Sequence, residues 1–310
     1  MSSRNSHAIA ARLAFTTALL MYALIAVGAV VRATGSGLAC PDWPLCQGRL
    51  IPAFEFHVLI EWMHSLLALL VGLMLFATAG WIWLKRETRS RLGALAGGAV
   101  GLYFIQALLG ALTVWKLLSP AMVSSHLGAG ALLFSTLLVL GLTAREETEE
   151  DSIAWDARPT GLLALSALAT AWTWGQIVLG GVVSSSHAGL VCPDWPTCYG
   201  RWLPPLEGLI GLQMAHRASA YGLLLVMLAT ALVARRASDR RIGATASMAL
   251  GQTVLQMALG VSNVLLGTPV WLSVLHLATA AAMLALSVIT LFLVSRLPAA
   301  RGALRLAEAR

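Results

Sequence analysis

Charge is scarce in this chain. Asp, Glu, Lys and Arg make up only 11% of its 310 residues, while 58% are hydrophobic, and mean hydropathy is +0.78. That balance excludes an ordinary soluble domain, in which charged residues reach about 25%. Cysteine is rarer still: there are four, all between apolar runs. Acidic residues number 14 against 21 basic ones, a net charge of +7. The excess is distributed as a topology signal, which gives no reason to propose nucleic-acid binding.

What the chain has instead is long apolar runs. About 18 consecutive apolar residues suffice to cross a bilayer, and the sequence predicts eight such helices, at 12–32, 60–84, 93–114, 121–143, 160–182, 212–234, 242–264 and 271–295. The first follows Arg4 and Arg12 as a secretory leader would. It is long for a leader's apolar region and lacks a convincing cleavage site, so a retained helix is expected. Sixteen of the 21 Lys and Arg residues fall on one side: Arg4, Arg12, Lys85, Arg86, Arg89, Arg91, Arg145, Arg158, Arg235, Arg236, Arg240, Arg241, Arg296, Arg301, Arg305 and Arg310. The positive-inside rule places these segments and both termini in the cytoplasm, as expected of a multi-pass protein of the cell membrane in contact with lipid. The stretch Arg145–Asp151 reads as a solvated linker.

One motif occurs twice. Residues 38–49 read LACPDWPLCQGR and residues 190–201 read LVCPDWPTCYGR, with nine of twelve positions identical at an offset of 152. The match extends to Pro52 and Pro204, then to His64 and His216. GlnXxxXxxXxxGly recurs at Gln106 and Gln256, and His126 pairs with His276 at an offset of 150. A repeat of this length means two copies of one structural unit. Four helices per copy is an even number, so both copies enter the membrane from the same side, as parallel repeats about an axis along the membrane normal. The expected fold is therefore all-α, an integral membrane protein of eight transmembrane helices. They form two four-helix bundles, 1–144 and 159–310, related by pseudo-twofold symmetry and joined by 145–158. Loops 33–59 and 183–211 then lie outside.

Those loops hold Cys40 with Cys46 and Cys192 with Cys198. In an oxidising compartment an intraloop disulfide in each copy is expected, with Pro41, Pro44, Pro193 and Pro196 restricting the backbone between each pair. The spacing fits zinc less well, and no CysXxxXxxCysHis occurs to attach haem covalently.

His64, His126, His216 and His276 begin the second, fourth, sixth and eighth predicted helices, four to six residues in. At 1.5 Å per residue that is roughly 6–9 Å below the outer hydrocarbon surface, one shared depth for all four. Two imidazoles can face each other within each bundle, the arrangement for axial ligation of a flat macrocycle. Intramembrane histidines paired by a repeat point to haem or metal ligation, and two imidazoles without Cys or Asp make a poor zinc site. Arg217 follows His216 and suits either a haem propionate or snorkelling to the headgroups. The copies differ at Glu61, three residues before His64 on one helical face, where the second copy has Gln213. A carboxyl group costs about 2.5–3.5 kcal/mol at mid-membrane, which assigns it proton chemistry beside the first pair, unless it is a hydrogen-bonding or helix-terminal group.

These features together resemble the haem A synthase family, bacterial and mitochondrial enzymes that complete the haem of aa3-type cytochrome oxidases. The likeness rests on eight helices in two repeats, the CysProAspTrpPro loops, Glu61-Trp-Met-His64, His126, His216-Arg217 and His276. It implies an oxidoreductase that converts the C8 methyl of haem O to a formyl group through a hydroxymethyl intermediate, the oxygen coming from water. It also implies that His216 and His276 ligate a haem b cofactor, that His64 and His126 line the haem O site, and that Glu61 is essential beside them. An Arg often follows the first-half histidine in that family, where this chain has Ser65. Haem O synthase, oxidase assembly proteins and a second copy of the chain are the partners such an enzyme suggests. Two other readings use the same histidines: a dihaem electron carrier of the cytochrome b kind, and a haem transporter or chaperone. Glu61 opposite Gln213 argues against a symmetric electron wire.

Overall fold

A computed structural model describes residues 3–42, 45–148 and 157–299. Among them every long element is a helix: α1 (Ser3–Ala33), α2 (Phe56–Leu84), α3 (Arg86–Trp115), α4 (Pro120–Glu146), α5 (Leu162–Ser185), α6 (Gly208–Ala234), α7 (Arg240–Leu265) and α8 (Val270–Arg296). All eight are long and apolar enough to cross a membrane, and the chain is a multi-pass membrane protein. One 3-10 turn, Ala188–Leu190, sits in the second connecting loop.

Several helices start earlier than their apolar runs. α1 begins at Ser3 instead of residue 12, α2 at Phe56 instead of 60, α3 at Arg86 instead of 93, and α6 at Gly208 instead of 212. In α1 and α3 the added turns carry charge, at Arg4, Arg86, Glu87, Arg89 and Arg91, where a count of apolar residues stops while backbone hydrogen bonding continues. Pro120 occupies the first turn of α4, where its missing N–H costs nothing. Asp239 caps α7 by accepting from the Arg241 amide at 2.9 Å.

The first four helices close a ring, α1 against α2 and α4, with α3 against α2 and α4; α5 to α8 repeat it. The halves meet where α4 packs on α5 and α8, and α1 on α8. That seam is apolar, built from Ala131, Ile177, Ala280, Leu284 and Val288. Two hydrogen bonds cross it at matching positions. Tyr22 donates to the Ala278 carbonyl at 3.1 Å, and Trp174, 152 residues after Tyr22, donates to that of Gly128, 150 before Ala278, at 2.9 Å. Leu66, Leu69 and Leu73 of α2 and Phe104 and Leu108 of α3 are exposed, the large apolar surface that faces lipid.

The linker departs from its expected start, since α4 runs to Glu146. Its first acidic residues are paired: Glu146 meets Arg296 at 2.9 Å and Glu147 meets Arg91 at 3.7 Å, exposed contacts worth about 0–1 kcal/mol each. Pro44, Asp151, Arg301, Arg305 and Arg310 lie outside the described residues.

Candidate functional site

Each CysProAspTrpPro loop is a self-contained clasp. Cys40–Cys46 and Cys192–Cys198 are disulfide-bonded as expected, and all four residues are buried. Cys46 and Arg49 exchange backbone hydrogen bonds of 3.0 and 3.1 Å, as do Cys198 and Arg201. The residues between them have positive φ, 54° and 71° at Gln47 and Gly48, 51° and 71° at Tyr199 and Gly200. Two successive positive φ values make a type I′ turn, which glycine adopts without a Cβ penalty. The motif's aspartate closes the clasp. Asp42 accepts from the Gly48 and Gln47 amides at 2.6 and 2.7 Å, which hold its carboxyl below the usual range. Asp194 accepts from the Thr197 hydroxyl at 2.5 Å and the Gly200 and Tyr199 amides at 2.9 and 2.7 Å; together they hold it down to about 2. Cys, Asp and Gly of the repeated motif thus each have a use inside the loop.

Below the clasps, His64 and His216 stand eight residues past the starts of α2 and α6, His126 and His276 six past those of α4 and α8. The first two are deeper in their helices than the expected four to six residues because α2 and α6 start early, a rise of about 12 Å against about 9 Å. The fold brings the imidazoles together in pairs close enough to interact electrostatically, His64 with His126 and His276 with His216.

Every imidazole lies against a glycine of the preceding helix. A Cβ built on Gly28 would stand 3.2 Å from His64 Cε1, on Gly110 3.0 Å from that of His126, on Gly180 3.1 Å from that of His216, and on Gly260 3.0 Å from that of His276. A side chain there would push the ring aside. Sequence reasoning finds Gly110 and Gly260 as repeat members without a role and misses Gly28 and Gly180, although they share the 152-residue offset of the histidines they face.

Glutamine stands beside three of the four histidines. His126 Nδ1 lies 3.2 Å from the Gln106 carbonyl, Gln256 donates to the His276 carbonyl at 2.9 Å, and Gln176 Nε2 lies 3.1 Å from His216 Nδ1. Gln176 is the other residue sequence reasoning misses. His64 and His276 keep a buried Nδ1 with no partner. Among the described residues no three His, Cys, Asp or Glu side chains gather as metal ligands. The donor set is two imidazoles per half, too few for zinc and the number that fills both axial positions of a haem iron. Rings seated against glycine and two unpartnered ring nitrogens fit that group.

The two halves differ in what stands between histidine and clasp. Glu61 is 6% exposed, and its Oε2 accepts from the Cys40 amide at 2.7 Å. Gln213, at the equivalent position, donates instead to the Gly189 carbonyl at 3.3 Å, and its Oε1 has no partner. Arg217 turns into the protein, not toward the headgroups. Its Nη1 donates to the Asp194 and Thr197 carbonyls at 3.0 and 2.9 Å and its Nη2 to that of Cys192 at 2.8 Å, a charge-assisted hold on the second clasp. Ser65 cannot do this for the first clasp. There the Trp62 indole donates to the Leu50 carbonyl at 2.8 Å, and Ser36 bonds His57 at 2.9 Å.

The model of the cytochrome oxidase assembly protein family (COX15-CtaA) matches the chain over residues 11–57 and 51–288. A heme A synthase of Methylobacterium sp. (strain 4-46) is 32% identical, covering 88% of this chain and 89% of its own. One from Halalkalibacterium halodurans is 31% identical over 84% of this chain and 88% of its own. Another, from Methylorubrum extorquens (strain PA1), is 28% identical over 96% and 90%.

Proposed function

Since the chain belongs to the cytochrome oxidase assembly protein family (COX15-CtaA), we propose that it is a haem A synthase, oxidising the C8 methyl of haem O to a formyl group through a hydroxymethyl intermediate. The observation that carries this reading is an unequal duplication: two imidazole pairs seated on glycine, with a buried carboxylate beside only one.

His216 and His276 hold a resident haem b, which when bound supplies a redox-active iron able to take electrons from the substrate. His64 and His126 frame the haem O site. Glu61 is the proton-handling group. The Cys40 amide fixes Oε2, and the carboxylate so held activates the water that supplies the oxygen or offsets a developing cation. Arg217 keeps guanidinium hydrogens outside its three clasp bonds, and these are assigned to a haem propionate. The two halves, 1–144 and 159–310, are pseudo-twofold relatives, a reading supported by the matched Tyr22 and Trp174 bonds. Both termini lie in the cytoplasm, as the basic segments argue. Haem O synthase supplies the substrate, and oxidase assembly proteins take the product.

The test is haem chromatography of cells given a haem O source and expressing wild type or Glu61→Gln. Wild type should make haem A. Glu61→Gln, which keeps hydrogen bonding and removes ionisation, should retain haem b and accumulate haem O or the hydroxymethyl haem. Normal haem A output from Glu61→Gln would make the carboxylate structural and overturn its role.

A further inference from the structure

The halves grip their first histidines differently. In α5, Gln176 precedes Gly180 by four residues, one helical turn. Its Nε2 donates to the His216 carbonyl at 2.9 Å and lies 3.1 Å from His216 Nδ1, while its Oε1 is buried with no partner. That carbonyl bond pins the histidine's backbone against α5, as Gln256 pins the His276 carbonyl at 2.9 Å in the other pair of helices. Gln106 and Gln256 occupy the same place before Gly110 and Gly260. In α1 the place before Gly28 belongs to Leu24, buried among Met21, Ile25 and Val71. A hydrocarbon cannot donate to the His64 carbonyl as Gln176 and Gln256 donate to those of His216 and His276. His64 alone of the four lacks the glutamine.

We propose that Gln176 is a positioning residue that locks His216 to retain its haem, and that Leu24 leaves His64 unlocked so that the first half can exchange its porphyrin. The proposal rests on reading the halves as substrate and cofactor sites. Its physical basis is that hydrogen-bonded support outside the iron's own ligands fixes the orientation of a ligating histidine. A synthase must release product every turnover while keeping its cofactor, and release passes through the weaker axial ligand. The two requirements conflict in one symmetric design, and a single Leu-for-Gln difference resolves them.

The experiment exchanges the two residues in the full-length protein. Each variant installs the side chain that the equivalent helix of the other half already carries. Haem transfer to excess apomyoglobin gives the departure rate of each pigment. Leu24→Gln should slow haem A departure about 10-fold, the low end of what such partners contribute, with kcat and KM falling together. Gln176→Leu should speed haem b loss about 10-fold and weaken the reduced low-spin spectrum. Gln176→Glu, which keeps the shape but removes the N–H that the His216 carbonyl accepts, should behave as Gln176→Leu does. Wild-type rates and spectra in Leu24→Gln and Gln176→Leu overturn the proposal. His216→Ala separates the two failures. A surviving haem b spectrum there removes the site assignment itself; its loss, alongside wild-type rates in Gln176→Leu, removes only the lock.

Discussion

Replacing Gly260 with alanine places a methyl carbon 3.0 Å from His276 Cε1 and 3.7 Å from both ring nitrogens. Carbon atoms settle at about 3.5–4.0 Å, so the imidazole must retreat by roughly half an ångström or more. Overpacking of this kind costs about 1–3 kcal/mol, whereas alanine is better than glycine inside a helix by about 1 kcal/mol. The apoprotein should therefore lose no more than about 2 kcal/mol, a modest fall in its melting temperature in detergent. Haem b should suffer more, since the displaced ring is itself the axial ligand: an affinity loss of about 10-fold or greater is expected, as for other disturbances of ligand orientation. Gly251 lies in the same helix, and a Cβ there meets nothing within 4 Å. Gly251→Ala is accordingly the control, with equal or higher stability and full haem content. Reduced-minus-oxidised spectra and a haem titration read the difference. A Gly260→Ala protein with wild-type haem affinity and spectrum would refute the claim that the glycine makes room for a ligand.

Arg217→Gln removes the donor for the Asp194, Thr197 and Cys192 carbonyls. It should cost about 3 kcal/mol or more and raise hydrogen exchange in the second clasp while leaving the first unchanged; equal protection in both clasps would contradict that role. The second clasp should also carry an acid dependence. Asp194 is held down to about 2 by the Thr197 hydroxyl and the Gly200 and Tyr199 amides, below its unfolded value of about 3.9. A depressed folded pKa contributes stability that is present above about 4 and lost as pH falls toward 2. Loop exchange should therefore rise across that window in wild type and stay flat in Asp194→Asn.

The eight helices were legible because hydrophobicity acts over many residues at once. Some helix starts were not: Ser3 and Arg86 open turns that carry charge, where a count of apolar residues stops. The four histidines and Glu61 stood out as polar groups in an apolar background. Gly28, Gly180 and Gln176 did not, because glycine is common in membrane helices and its use appears only when a ring from another helix is laid against it. Arg217 was read as a group for ligand or headgroups; the clasp carbonyls that claim it lie 20 to 25 residues earlier in sequence, beyond the reach of any local pattern.

The account's central claim is a division of labour, one half keeping a haem and the other transforming one. The most direct measurement is the pigment extracted from the purified protein of cells that make haem O. The account predicts haem b together with haem O, its hydroxymethyl derivative or haem A. Haem b alone, in both halves, would contradict it and make the molecule a dihaem electron carrier.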